Sequence, residues 1–150
     1  MKLTILSVLL LMFGVFLGAC GGAPAASASN ASPEPAAVED QASLIAALEA
    51  AGATVDVGEP ISQPFFSAEG NIIKVNGADV QVFAYENAEE MELESSQIAP
   101  DGSSNATTMI NWIDTPHFYK TGRIIALYIG NDEEVLSLLE KTMGAQFAGG

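Results

Sequence analysis

The sequence predicts an α+β domain over residues 41–150, an antiparallel sheet with about three helices packed on one face. Three observations predict it. Apolar residues recur at helical spacing in three segments, each behind a polar capping residue. Short alternating runs lie between those segments. An Asn-Gly pair at 76–77 sits between two such runs, and Asn-Gly is the preferred two-residue hairpin turn.

The elements follow in order. Asp40 caps a first helix with the stripe Leu44, Ile45, Leu48 and Ala51, and Gly52 ends it. Residues 54–57 read as a short strand. Pro60 and Pro64 interrupt the chain around Ile61, and Phe65-Phe66 open a candidate strand. Residues 71–75 and 78–85 form the arms of the Asn76-Gly77 hairpin, with Val80, Val82 and Ala84 on one face of the second arm. Asn87 caps a second helix, with Glu90 as its reciprocal partner and Ala88, Met91, Ser95 and Ile98 inward. Its remaining glutamates fall at outer and early positions, where the helix dipole favours acids.

Residues 100–104, Pro-Asp-Gly-Ser-Ser, read as a loop, and 107–113 as a strand carrying Trp112. Pro116 interrupts, 117–120 extend again, Thr121-Gly122 turn, and 123–129 form a strongly apolar strand. Asn131 with Glu134 gives a further capping box, the last helix carries Val135, Leu138, Leu139 and Met143, and Gly144 ends it. Gly77 and Gly122, and Asn87 and Asn131, repeat at about 45 residues, with Val80 and Val82 matching Ile125 and Leu127. A ββα pseudo-repeat is one reading of this, and chance likeness of two α+β units is the other.

The amino-terminal 40 residues have a different character. Met1-Lys2 is basic, and residues 3–17 are apolar apart from Thr4 and Ser7. Gly18 and Ala19 are small, and Cys20 follows. A basic start, an apolar run and a small-residue cleavage site describe an export signal. The run is short for a membrane span, which needs roughly 20 apolar residues. Residues 21–40 are dominated by Ala, Ser, Pro and Gly without apolar periodicity, so they read as a flexible tether. Such a coil spans roughly 25 Å.

Leu17-Gly18-Ala19-Cys20 resembles the lipobox of bacterial lipoproteins. The resemblance implies cleavage after residue 19, a thioether-linked diacylglycerol on Cys20, and in many cases N-acylation. It implies a domain held outside the cytoplasm, on the cell membrane or the outer membrane. Gly21 replaces the Asp that marks inner-membrane retention in many two-membrane bacteria. Residues 41–150 also resemble a group of small, uncharacterised bacterial lipoproteins. The stretches concerned are Gln63-Pro64-Phe65-Phe66, Val75-Asn76-Gly77 with residues 79–83, residues 100–104, and Pro116-His117-Phe118-Tyr119 with Gly122-Arg123. That likeness implies no activity.

Charge narrows the partners. Five basic residues stand against nineteen acidic ones, for a net −14. Such a surface repels phosphate backbones, so no nucleic acid is expected. The single Cys permits no internal disulfide, and one His with one Cys cannot build a Cys/His zinc cage. Residues 101–105 hold only a fragment of a calcium loop, and no Gly-rich phosphate loop follows a strand. No metal and no cofactor is expected.

The chemistry-bearing candidates are few. Ser103 or Ser104 with His117 and Asp114 makes a conceivable triad, but Asp101-Gly102-Ser103 is ordinary turn chemistry rather than a nucleophile elbow. His117 reads either as a packed strand histidine or as the polar anchor of a ligand site. Phe65, Phe66, Trp112, His117 and Tyr119 are the candidate ligand or partner surface, since aromatics serve both cores and recognition surfaces. The expectation is a membrane-anchored, non-enzymatic binding or envelope-assembly module, with an unknown envelope protein or small ligand as partner. The alternative is a small envelope hydrolase using His117 with Asp101 or Asp114. About 110 residues are too few for a two-lobed solute receptor.

Overall fold

The computed structural model describes residues 37–106 and 108–150. The signal segment, the lipobox at 17–20 and the tether as far as residue 36 lie outside the described residues. The order is α1 (Gln41–Ala50), β1 (Val55–Ile61), β2 (Gly70–Val75), β3 (Ala78–Ala84), α2 (Ala88–Ser95), β4 (Ser104–Asn105), β5 (Thr108–Met109), β6 (Pro116–Thr121), β7 (Ile124–Ile129), α3 (Glu133–Met143) and β8 (Ala148–Gly149). Six strands form one sheet in the order β1-β2-β3-β7-β6-β8, antiparallel throughout, and β4 and β5 form a separate two-stranded ribbon. The class is α+β, as the periodicities predict.

The helices divide between the two faces, whereas the sequence reading put all three on one. The division follows from the strand period of two. In β7, Ile124, Ala126 and Tyr128 join Leu44 and Leu48 of α1 and Val135, Leu139 and Met143 of α3. Ile125 and Leu127 join Met91 of α2, together with Phe66, Phe83 and Phe118, on the other face. Both faces of β7 are apolar, which sequence alternation alone cannot resolve into sides.

This split bears on the pseudo-repeat, which is not confirmed. Units β2-β3-α2 and β6-β7-α3 both exist and meet at the β3·β7 pair. A two-fold axis exchanging those neighbouring antiparallel strands runs normal to the sheet and would keep both helices on one face. They lie on opposite faces.

The central hairpin forms as predicted. Val75 pairs with Ala78, and Asn76 and Gly77 take φ of 50° and 90°, the positive values the tight turn demands. Asp40 caps α1, its carboxylate accepting from the Ser43 amide at 3.0 Å. Asn87 caps α2, accepting from the Glu90 amide at 2.9 Å, while Ala88 is exposed rather than inward. The last helix is capped by Asp132, which accepts from the amides of Glu134 and Val135, and not by Asn131. Asn131 donates instead to Asp114.

Three segments depart from the sequence reading. β1 runs through Pro60, because it is an edge strand where a missing N–H is tolerated, with a bulge between Val57 and Pro60. The bulge turns Ile61 towards the aromatic face, whereas Val55 packs with the aliphatic one. Phe65-Phe66 lie in a turn closed by the Phe66 amide donating to the Gln63 carbonyl at 3.0 Å, and not in a strand. Of the expected strand at 107–113, Thr108–Met109 is extended and residues 110–113 are not.

The packed chain reaches back to Val38, which is buried. The Arg123 amide donates to the Glu39 carbonyl at 3.0 Å, and the Thr121 hydroxyl to the Val38 carbonyl at 3.3 Å. A Cβ on Gly122 would stand 2.4 Å from the Glu39 Cα, so only glycine lets this strap cross the β6–β7 turn.

Candidate functional site

The five candidate surface residues separate into two groups on opposite faces of the sheet. Phe65, Phe66 and Trp112 gather on the α2 face, where Phe65 meets Phe66 at 4.8 Å and Trp112 edge-on at 5.6 Å between ring centroids. Trp112 also meets Phe118 at 5.8 Å, and its indole N–H donates to the Gly102 carbonyl at 2.7 Å. Phe66 is buried against Phe83, while Phe65 and Trp112 are half-buried. These rings form a core whose outer members reach the surface.

His117 and Tyr119 occupy the other face of β6, and both are buried. The His117 ring stacks on Tyr128 with centroids 6.2 Å apart. Its Nδ1 lies 2.7 Å from Oε1 of Gln146 and donates to it, because an amide oxygen only accepts. Nε2 is buried without a partner. Gln146 in turn donates to the Gly149 carbonyl, so His117 helps hold the tail that carries β8. Burial raises the Tyr119 phenol above its ordinary pKa, and the Glu140 charge adds to the effect.

The imagined triad is not brought together by hydrogen bonds. Asp101 accepts from the amide and hydroxyl of Ser103, at 3.0 and 2.8 Å, and the amide bond is the larger reason that its pKa lies below the usual range. Asp114 accepts from the Thr115 amide and from Asn131 Nδ2. His117 is bound to Gln146 rather than to either carboxylate. Among the described residues, no three His, Cys, Asp or Glu side chains cluster as metal ligands would.

A recess of about 340 Å³ opens beside the aromatic group, between the turn carrying Phe65 and the exposed side of α2. Phe65, Ser67, Glu94, Gln97, Asn105 and Thr108 contribute to its walls. Glu94 accepts from the Ser67 amide at 2.7 Å and the Ser67 hydroxyl at 2.9 Å. Asn105 donates through Nδ2 to the Phe65 carbonyl at 2.6 Å. Inside, the Tyr85 hydroxyl is buried without a hydrogen-bond partner, and burial first, then the Glu94 carboxylate, push the phenol well above its ordinary pKa.

No family model, curated protein or solved structure matches this chain.

Of these wall residues the sequence reading singled out only the phenylalanines. Glu94 stood among acids that helix-dipole effects already explained, Ser67 in an unpatterned loop, and Asn105 at the end of the calcium-loop fragment. Only the turn at 63–66 and the ribbon β4–β5 bring them to α2, and neither has a period to detect.

Proposed function

We propose that this chain is an exported lipoprotein, anchored in the cell membrane or outer membrane by lipid on Cys20. Its domain acts as a non-enzymatic binding or envelope-assembly module. The observation that carries the anchor is Leu17-Gly18-Ala19-Cys20 set directly after the apolar run. One acyl chain gives only marginal attachment, at about 0.8 kcal/mol per buried CH₂, so the two chains of a diacylglycerol make a stable one.

The binding role is supported by how the candidate groups are engaged. Asp101 and Asp114 are taken up by turn and loop hydrogen bonds, and His117 secures the tail. The hydrolase alternative, His117 with Asp101 or Asp114, therefore has less to support it. Metabolic labelling with a fatty acid tests the anchor: the wild type takes up label, and Cys20→Ser takes up none and stays uncleaved. Affinity capture of the lipidated protein from membranes tests the module. A stable stoichiometric partner retained by His117→Ala is the expected result. A hydrolytic activity lost in His117→Ala would replace the module with the enzyme.

A further inference from the structure

The recess beside α2 presents hydrogen-bond acceptors of fixed orientation. Ser67 spends its hydroxyl proton on Glu94, so that oxygen faces outward as an acceptor. Asn105 spends an amide hydrogen on the Phe65 carbonyl, which turns its Oδ1 away from that carbonyl. The Glu94 carboxylate is held by two hydrogen bonds before any ligand arrives. It also carries an unbalanced charge. The ion pairs among the described residues are Lys74–Asp79, Lys120–Glu92 and Arg123–Asp40, none of which involves Glu94. Among the described residues, no lysine or arginine lines the recess.

We propose that this recess binds a primary ammonium group, with Glu94 as its counter-charge, Ser67 and Asn105 as further acceptors, and the Phe65 ring against its alkyl stem. The proposal rests on the reading of the domain as a binding module and names the chemistry that the module takes. An ammonium carries three donors and a compact charge, which suits acceptors arriving from several directions. A guanidinium prefers both carboxylate oxygens in one plane, and each Glu94 oxygen already accepts from Ser67. An aromatic wall favours a cation further, and the chain's net charge of −14 draws one in. The group can come from a free amine or amino sugar, or from a lysine side chain on another protein.

The sole tryptophan supplies the readout, because Trp112 stands edge-on to Phe65. The full chain in detergent is titrated with n-butylammonium, glucosamine and Nα-acetyl-lysine methylamide, with butanol and N-acetylglucosamine as uncharged partners. The amines shift Trp112 fluorescence saturably, and the neutral compounds do not. Tighter binding of the lysine derivative assigns the source to protein, and tighter binding of glucosamine assigns it to sugar.

Glu94→Gln preserves the shape of the wall and weakens amine binding by about tenfold or more, the loss of a charge-assisted hydrogen bond. Glu89→Gln makes the same charge change at an exposed site on the first turn of α2 and leaves binding unaltered. Equal weakening in both variants, undiminished binding in Glu94→Gln with an unchanged unfolding midpoint, or no saturable signal with any amine overturns the proposal. Failure of the amine titration, with a membrane partner still captured by the wild-type protein, would overturn the recess and leave the binding-module reading standing.

Discussion

The two faces of the sheet are closed by different means. On one, α1 and α3 lay Leu44, Leu48, Val135 and Leu139 over aliphatic strand residues, all nearly inaccessible. On the other, α2 is eight residues long and buries only Met91 and Ser95. Rings do the remaining work there: Phe66, Phe83 and Phe118, edged by Phe65, Trp112 and Phe147. A helix covers a face with side chains at fixed spacing and leaves little space. Loops meet a sheet irregularly, so large flat groups fill the gaps, and a recess stays open where turn and helix join. The closed face supplies stability, and the loop-covered face has the freedom to carry a site.

Core truncations test this contrast most strongly. Leu139→Ala removes a fully buried side chain between helix and sheet. It should cost about 2–5 kcal/mol, read as a lower urea midpoint with an unchanged slope. Phe66→Ala removes a larger group from under a loop that can collapse onto the space. It should cost no more than the ~3 kcal/mol at the low end for such a truncation. A greater loss for Phe66→Ala than for Leu139→Ala would mean that the loop-covered face is packed as tightly as the helix-covered one.

Two turn glycines differ in the same way at the edges of the sheet. Gly122 has φ of 55° and the Glu39 backbone against it, whereas Gly77 has φ of 90° and nothing within 4 Å. Gly77→Ala should cost the left-handed strain alone, about 1–2 kcal/mol. Gly122→Ala should cost more, because the strap leading into α1 must also move. Equal unfolding midpoints for the two variants would mean that the strap contributes nothing.

The smallest effect concerns pH. The Ser43 amide, then the Ser43 hydroxyl, with help from Arg123, hold the Asp40 carboxyl below its ordinary pKa. A depressed folded value stabilises the fold above the unfolded pKa of 3.8, and the contribution fades as pH falls through the folded value. Asp40→Ala should therefore lower the midpoint at pH 7 more than at pH 2. A constant difference across that range would assign the cap no electrostatic part.

The closed face was the more legible in the sequence. The α1 and α3 stripes, the Asn76-Gly77 turn and the apolar run of β7 each carry a local period or a turn requirement that survives without tertiary context. The other face is built from pieces that have none. The expected strand around Trp112 gives way because the indole bonds the Gly102 carbonyl and packs between Phe65 and Phe118. Phe65-Phe66 look like strand residues, yet Pro64 and the hydrogen bond to Gln63 place them in a turn. The acceptors of the recess meet across 38 residues of chain, from Ser67 to Asn105, and no spacing rule links them. β8 escaped notice because two residues of Ala-Gly carry no strand pattern; it is held by pairing with His117 and Phe118.

The proposed lipid anchor would leave its mark on the amino terminus of the mature chain. Intact-mass spectrometry of the mature chain, extracted from membranes of the cell that makes it, reads that mark. The expected chain begins at Cys20, lacks residues 1–19, and is heavier than its sequence by a diacylglycerol, with or without one further acyl group. A mature chain with an unmodified Cys20, or one starting at any other residue, would contradict it.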